Sequence, residues 1–426
     1  MMVAAAHGDE VSGPSLLFDP FSGEVISQNR AGEPWYPASL TKLMTGYVIF
    51  KKIRDGKMRL DQEIPISELA HSQPASHTGL PAGKMVTVDF ALQAMLVYSA
   101  NDMAYVLAEG ASGSVEKFAA DMNETARSLD LPATHFVNPN GLFDPRHISS
   151  ARDLGEIAAV IVNQFPEYLH YFSQEAVVVG KRRLANHNSL IRLMPEAVGM
   201  KTGFVCNSGY NLVGSAIRGG RQLVSVVLGA RSGAMRVKAS RAMLDEGFDA
   251  LGQPAHAKLG DIADQAFGSI VPADMTTTVC KKKAPVNPVN AHQMAGWGVS
   301  FGTFDSAMKA DMALRGRLIS PVGINAGGTA GVVKLENNAG YLAMLWNLEQ
   351  ASSAALCAQY KTAGAGCDVM PDTLLLQMAA AAPPEPAADQ ATDQGSDDDV
   401  LKPAAQVKSK KAGRVKAKII VPAAGN

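Results

Sequence analysis

Residues 197–230, AVGMKTGFVCNSGYNLVGSAIRGGRQLVSVVLGA, decide the fold. Three apolar, β-branched runs, AVGMKTGF, YNLVGSAIR and RQLVSVVLGA, are separated by the turn signals NSG and RGG. They read as three sequential antiparallel strands. Upstream, SLLFD at 15–19 and EVISQ at 24–28 flank a Pro20–Gly23 turn, which predicts an opening hairpin. Between the two strand regions the period is helical. After Pro37, the residues Leu40, Leu43, Met44, Tyr47, Val48 and Phe50 recur on one helical face until Asp55-Gly56 stops the run. VDFALQAMLVYSA, NDMAYVLAEG and VEKFAADMNETARSLD continue the helical middle, and Ser150 with Asp153 resembles a capping box ahead of DLGEIAAVIVNQF. MRVKASRAMLDEGFDAL then closes the unit near residue 250. Strands, helices, strands and a final helix predict an α+β domain whose antiparallel sheet, flanked by helices, joins the two ends of the segment.

The whole chain has 426 residues, more than one domain at roughly 150 residues each. Residues 251–294 show little periodicity and read as a linker with some attached strand structure. A second unit opens at WGVSFGTF (297–304), where Trp297, Val299 and Phe301 alternate on one face. DSAMKADMALRGRL follows with helical spacing, then strand-like GVVKLE and YLAMLWNL, helix-like SSAALCAQYKTAG and a short CDVM. Two β-α-β halves fit this order. From about Ala379 the chain is rich in Ala, Pro and Asp and then in Lys, and reads as a disordered tail. The expected division is 1–250, a linker at 251–295, a small ferredoxin-like domain at 296–372 and a tail at 373–426.

Apolar residues make up 47% and charged residues 19%, in the globular range, and the net charge of −1 gives no global argument for nucleic acid or an anionic membrane. No stretch reaches the roughly 20 apolar residues of a membrane span. The amino terminus lacks a charged segment followed by an apolar one. A mis-set start or a processed form is equally consistent with that, since the first strand lies so near. The cysteines Cys206, Cys280, Cys357 and Cys367 lack metal-site spacing. Cys357 and Cys367 are near enough in sequence to bridge a helix to the following strand in an oxidising compartment, or else to lie buried as two thiols.

Three short motifs stand in order: Ser39-Leu40-Thr41-Lys42, Ser99-Ala100-Asn101 and Lys201-Thr202-Gly203. Each alone is common. A Ser and a Lys three apart at a helix start project from nearly one face, so the amine can reach the hydroxyl. A serine hydroxyl is a weak nucleophile without such a base, and Lys42 can act only if burial or nearby positive charge, supplied by Lys201, lowers its pKa. Ser99 and Asn101 fall on a turn between two helices and can point polar groups at a cleft. Gly203 allows close backbone approach on an edge-like strand that could pair with an extended peptide. The amides of Ser39 and Phe204 are candidates for an oxyanion hole.

This motif set resembles that of penicillin-binding proteins and class A β-lactamases. YPASLTKLMT, YSANDMA, NPNGL (138–142), HISSARDLGEIA, NHN (186–188) and VGMKTGF are most similar to the low-molecular-mass D,D-carboxypeptidases, peptidase family S11, over about residues 12–250. The resemblance implies a β-lactamase/D,D-peptidase-like fold with Ser39 as acylated nucleophile, Lys42 as general base, and Ser99 and Asn101 as relay and orienting groups. Lys201 and Thr202 would hold a terminal carboxylate, with Arg231 a weaker candidate. It further implies no metal or organic cofactor, peptidoglycan stem peptides as substrate, β-lactams as covalent inhibitors and an extracytoplasmic, wall-associated location. Phe204 and His187 depart from residues common in the family, histidine and arginine respectively. No segment supplies the extra glutamate of a class A β-lactamase. Residues 296–372 resemble a SPOR domain, which implies binding to glycan strands. The family's amphipathic C-terminal anchor is not evident in the Lys-rich tail, so membrane contact is expected to be peripheral at most. The rival readings are a D,D-endopeptidase or other penicillin-recognising hydrolase, and a non-catalytic wall-binding protein.

Overall fold

The computed structural model describes residues 12–250, 257–265, 270–280, 296–335 and 340–375. The expected tail beyond residue 375, including the question of an anchor, lies outside the described residues.

In chain order the first part contains β1 (Ser15–Phe18), β2 (Glu24–Asn29), α1 (Thr41–Arg54), α2 (Val88–Val97), α3 (Asn101–Ser112), α4 (Val115–Ser128) and α5 (Ala151–Gln164). After these come β3 (Ala197–Val205), β4 (Gly209–Arg218), β5 (Arg221–Ala230), α6 (Gly233–Asp249) and β6 (Ala257–Lys258). The six strands form one sheet in the order β6-β2-β1-β5-β4-β3. All its described pairings are antiparallel. β1 lies against β5 with Leu16 opposite Val226, so the two ends of the segment meet in mid-sheet. The fold is α+β, as the sequence predicts.

Side chains alternate between the faces of a strand, and here both faces are apolar. Leu16, Val224 and Val226 pack with α1, α2 and α5 on one side, whereas Leu17, Leu212 and Leu223 pack under Val237, Leu244 and Phe248 of α6 on the other. A sheet covered on both faces fixes its register, because a one-residue slip would exchange the two cores. Helix α1 sits inside the helical layer with every residue from Thr41 to Phe50 buried. A helix enclosed on all sides carries its polar side chains into the core with it, and that is how Lys42 comes to be buried.

Two sequence expectations change in detail. Ser150 caps α5 by accepting from the Asp153 amide at 3.0 Å, but Asp153 does not complete the box. Its carboxylate accepts from the Ala133 amide and the Thr134 hydroxyl at 3.1 and 2.6 Å, buried partners that outcompete the helix end. The stretch read as linker is partly docked: β6 pairs with β2, and Ser150 donates to Asp264 at 2.7 Å.

A second sheet is built from β7 (Trp297–Phe304), α7 (Ala307–Leu318), β8 (Thr329–Lys334), β9 (Tyr341–Leu348), α8 (Gln350–Thr362) and β10 (Asp368–Met370). Its order, β8-β9-β7-β10, with all pairings antiparallel, is that of a β-α-β-β-α-β unit. Val299, Phe301 and Leu345 meet Leu314, Leu356 and Tyr360 of its helices. Cys357 and Cys367 are bridged, tying α8 to the chain just ahead of β10. A second bridge, Cys206–Cys280, closes a separation of 74 residues and ties the chain just after β3 to the segment before the second sheet. Among the described residues no helix is long and apolar enough to cross a membrane.

Candidate active site

Ser39 lies in a short 3-10 turn, Ala38–Leu40, that leads directly into α1. One helical turn on, the Lys42 amine lies 2.9 Å from the Ser39 hydroxyl oxygen, 2.8 Å from Oδ1 of Asn101 and 2.6 Å from the carbonyl oxygen of Asn140. The Asn101 amide is oriented by donation from its Nδ2 to the Pro74 carbonyl at 2.9 Å. Asn101 therefore presents oxygen, not nitrogen, to the lysine. A neutral amine has two N–H donors and one lone pair. Two pure acceptors take the donors, and the lone pair is left for the Ser39 O–H. The three oxygens accommodate an ammonium with three donors or a neutral amine whose lone pair faces Ser39.

The electrostatics shift the balance toward the neutral form. Lys42 is 0% exposed, and its pKa is driven well below the ordinary lysine value, first by desolvation and then by the positive charge of Lys201; Asp102 opposes this. Lys201, on β3 and 1% exposed, is lowered to about 7 by burial and by Arg236. His187, whose ring is tilted against that of Tyr98 with centroids 4.7 Å apart, is lowered to about 3 by burial and by Lys201 and Arg236, so it is a neutral ring.

Two strained backbone positions lie beside these groups. Ala38 and Ser99 hold φ of 49° and 63°, a left-handed region that costs a non-glycine residue about 1 kcal/mol or more. Ser99, 6% exposed, occupies the predicted turn between α2 and α3. The Lys42 amine bonds to Asn101 rather than to Ser99. The turn is fastened from below, where Asp102 accepts the Thr78 amide at 2.8 Å and Asn101 donates its own amide to Ser76 at 2.6 Å.

Strand β3 forms the opposite wall. It is the last strand of the sheet, so its outer edge is unpaired within it. Gly203 is packed so tightly that a Cβ there would lie 2.8 Å from the Pro37 carbonyl oxygen and 3.2 Å from the Ser39 amide nitrogen. Thr202 is buried beside it, and Phe204 is half-buried with its ring 4.2 Å from that of Tyr210. Gly141, at φ 84°, fits against the Ala38 carbonyl where any side chain would collide.

Arg231 is exposed ahead of α6 and is not gathered into this cluster. The buried guanidinium is that of Arg236, within α6, which donates to the Gly203 carbonyl at 3.1 Å and to the Asn211 carbonyl at 3.3 Å. Asn211 in turn donates to the carbonyls of Tyr36 and Pro37 at 2.9 and 3.2 Å, fixing the chain that presents Ser39. Sequence reading passes over Arg236, Asn211 and the Asn140 carbonyl. NPNGL is the one signal that pointed to the last of these. Among the described residues no three His, Cys, Asp or Glu side chains are gathered in a way that could hold a metal ion.

A serine in contact with a buried lysine whose pKa is lowered, set between an antiparallel sheet and a helical layer, defines the SxxK class of serine hydrolases. The chain belongs to the D-alanyl-D-alanine carboxypeptidase family, peptidase S11, whose match covers residues 2–232. It is 35% identical over 238 residues to D-alanyl-D-alanine carboxypeptidase DacA of Haemophilus influenzae, covering 55% of this chain and 61% of that one. The chain thus spans about three-fifths of the length of such curated relatives. Penicillin binding protein 5 of H. influenzae superposes with a TM-score of 0.55 at 33% identity, over 56% of this chain and 71% of that one. Penicillin-Binding Protein D2 of Listeria monocytogenes in its cefotaxime-bound form gives 0.51 at 27%, over 55% and 96%.

Proposed function

We propose that the protein is a D-Ala-D-Ala carboxypeptidase that removes the terminal D-alanine of peptidoglycan stem peptides through an acyl-enzyme at Ser39. The reading is carried by the Lys42 amine, buried, with two acceptors fixed on its N–H groups and 2.9 Å from Ser39. Lys42 takes the hydroxyl proton as Ser39 Oγ bonds to the penultimate carbonyl carbon. The amides of Ser39 and Phe204 face the developing oxyanion. The proton passes, with Ser99 and Asn101 as relay and orienting groups, to the departing D-alanine nitrogen as the C–N bond breaks. Water then releases the acyl group by the reverse sequence. Lys201 and Thr202 hold the terminal carboxylate, and Arg236 stiffens the strand behind them.

The L. monocytogenes protein binds cefotaxime, which supports β-lactams as covalent inhibitors here too. Substrate chemistry implies an extracytoplasmic location. We assign the Trp297–Met370 unit to glycan strands as a SPOR-like module, a reading supported by its β-α-β-β-α-β order. Incubating the full chain with fluorescent penicillin and with a peptide ending in D-Ala-D-Ala is expected to label the tryptic peptide containing Ser39 and to release one D-alanine per peptide. Absence of label would sink the catalytic reading. Sustained nitrocefin turnover without D-alanine release would favour a β-lactamase.

A pH profile follows from the two lysines. Catalysis needs neutral Lys42, so activity rises as pH passes its lowered pKa. Carboxylate binding needs cationic Lys201, so kcat/KM falls as pH passes about 7. A bell is expected, and Lys201→Arg should move its alkaline limb up by about 2 pH units or more, because guanidinium stays charged. An alkaline limb unmoved in this variant would rule Lys201 out as its source.

A further inference from the structure

The second unit touches both segments that hold the reacting pair. Arg315, near the end of α7 and 5% exposed, donates to the Tyr36 hydroxyl at 3.2 Å. Its guanidinium carbon lies 4.7 Å from the centre of the Phe143 ring. Asp274 and Asp311, at 2.8 and 2.6 Å, hold the same guanidinium. Tyr36 is three residues before Ser39, and its ring meets Phe143 edge-on at 5.2 Å. Phe143 is three residues after Asn140, whose carbonyl receives the Lys42 amine. Tyr36 and Ile148 form one apolar cluster with Ile319 and Ile324 of the second unit, with Phe143 packed against it. Arg146, which closes the same loop, donates across the junction to the carbonyls of Ala326 and Gly328.

We infer that Arg315 is a positioning residue for the Ser39–Lys42 pair, acting through Tyr36 and Phe143, so that the second unit completes the support of the active site. Two physical points carry this. A guanidinium with its donors spread over Tyr36, Asp274 and Asp311 is rigid, because each bond fixes the plane that the others need. Cation and ring stacked in a buried junction also attract more strongly than at an exposed site. The Tyr36 carbonyl is held from the other side by Asn211. The chain leading into Ser39 is thus gripped from the sheet by Asn211 and from the second unit by Arg315.

The inference rests on the proposed acylation of Ser39, and the wild-type chain is the control for that reading. Stopped-flow acylation by a fluorescent penicillin would be measured on Arg315→Met, Tyr36→Phe and the double variant, below the melting temperature of each. The acylation rate constant is expected to fall about 10-fold in Arg315→Met and a few-fold in Tyr36→Phe, with the pre-acylation dissociation constant unchanged. Sub-ångström displacement of reacting groups acts on the chemical step. The double variant should be no slower than Arg315→Met alone, since the two residues share one path. Unchanged rate constants in folded Arg315→Met, with a lowered melting temperature alone, would overturn the inference. If that variant fails to fold, Tyr36→Phe decides: an acylation rate constant equal to wild type overturns it.

Discussion

Lys42→Met is expected to slow acylation of Ser39 about 10³-fold, within the 10²–10⁴ range that a positioned general base contributes. Methionine keeps an unbranched apolar stem, one atom shorter than that of lysine, and removes the lone pair that faces the Ser39 hydroxyl. It also leaves Oδ1 of Asn101 and the carbonyl of Asn140 without the donor they share. Buried acceptors left unpaired cost about 1–3 kcal/mol each. The melting temperature should therefore drop as well, and the rate must be referred to folded protein. Lys42→Arg separates the two effects. Guanidinium restores a donor to those oxygens yet cannot deprotonate near neutral pH, so stability should recover in part while acylation does not. The check is the second-order rate constant with fluorescent penicillin for all three proteins. Either variant within tenfold of wild type would remove Lys42 from the role of base.

The groups legible in the sequence are those whose relation is local. Ser39 and Lys42 are one helical turn apart, so their contact follows from spacing alone. The three strands at 197–230 carry their own turns, so their order was readable before any tertiary contact. Arg231 and Arg236 show the opposite case. Both lie near the β5–α6 junction, and only the packing of α6 on the sheet tells which guanidinium is buried behind Gly203. The Asn140 carbonyl left no side-chain signal, because a backbone acceptor looks the same for every residue type. Cys206 and Cys280 are 74 residues apart, and no local rule pairs them. Asp153, read as half of a helix cap, was drawn off by Ala133 and Thr134. In the sequence Arg315 reads as part of a helix in a separate unit, whereas its bond to Tyr36 joins residues 279 apart in the chain.

Gly203→Ala should cost about 10²-fold in acylation, although it adds a single methyl group. The new Cβ would stand 2.8 Å from the Pro37 carbonyl oxygen and 3.2 Å from the Ser39 amide nitrogen. Both are backbone atoms, so no rotamer change relieves the contact; either β3 or the Pro37–Ser39 segment must move. Movement of about half an ångström brings the oxygen contact back to ordinary range, and it shifts the Ser39 amide against the Phe204 amide. Loss of one well-placed oxyanion donor costs about 10²–10³-fold, and a misplacement of about 1 Å can cost 10²-fold. Lys42 is held by Asn101 and Asn140, neither of which touches β3 through Gly203, so the acid limb of the pH profile should stay where it is. That combination distinguishes a damaged oxyanion site from a disturbed base. A rate within threefold of wild type would show that the close approach of β3 to Ser39 has no part in the chemistry, and an acid limb displaced along with the rate would assign the damage to Lys42 instead.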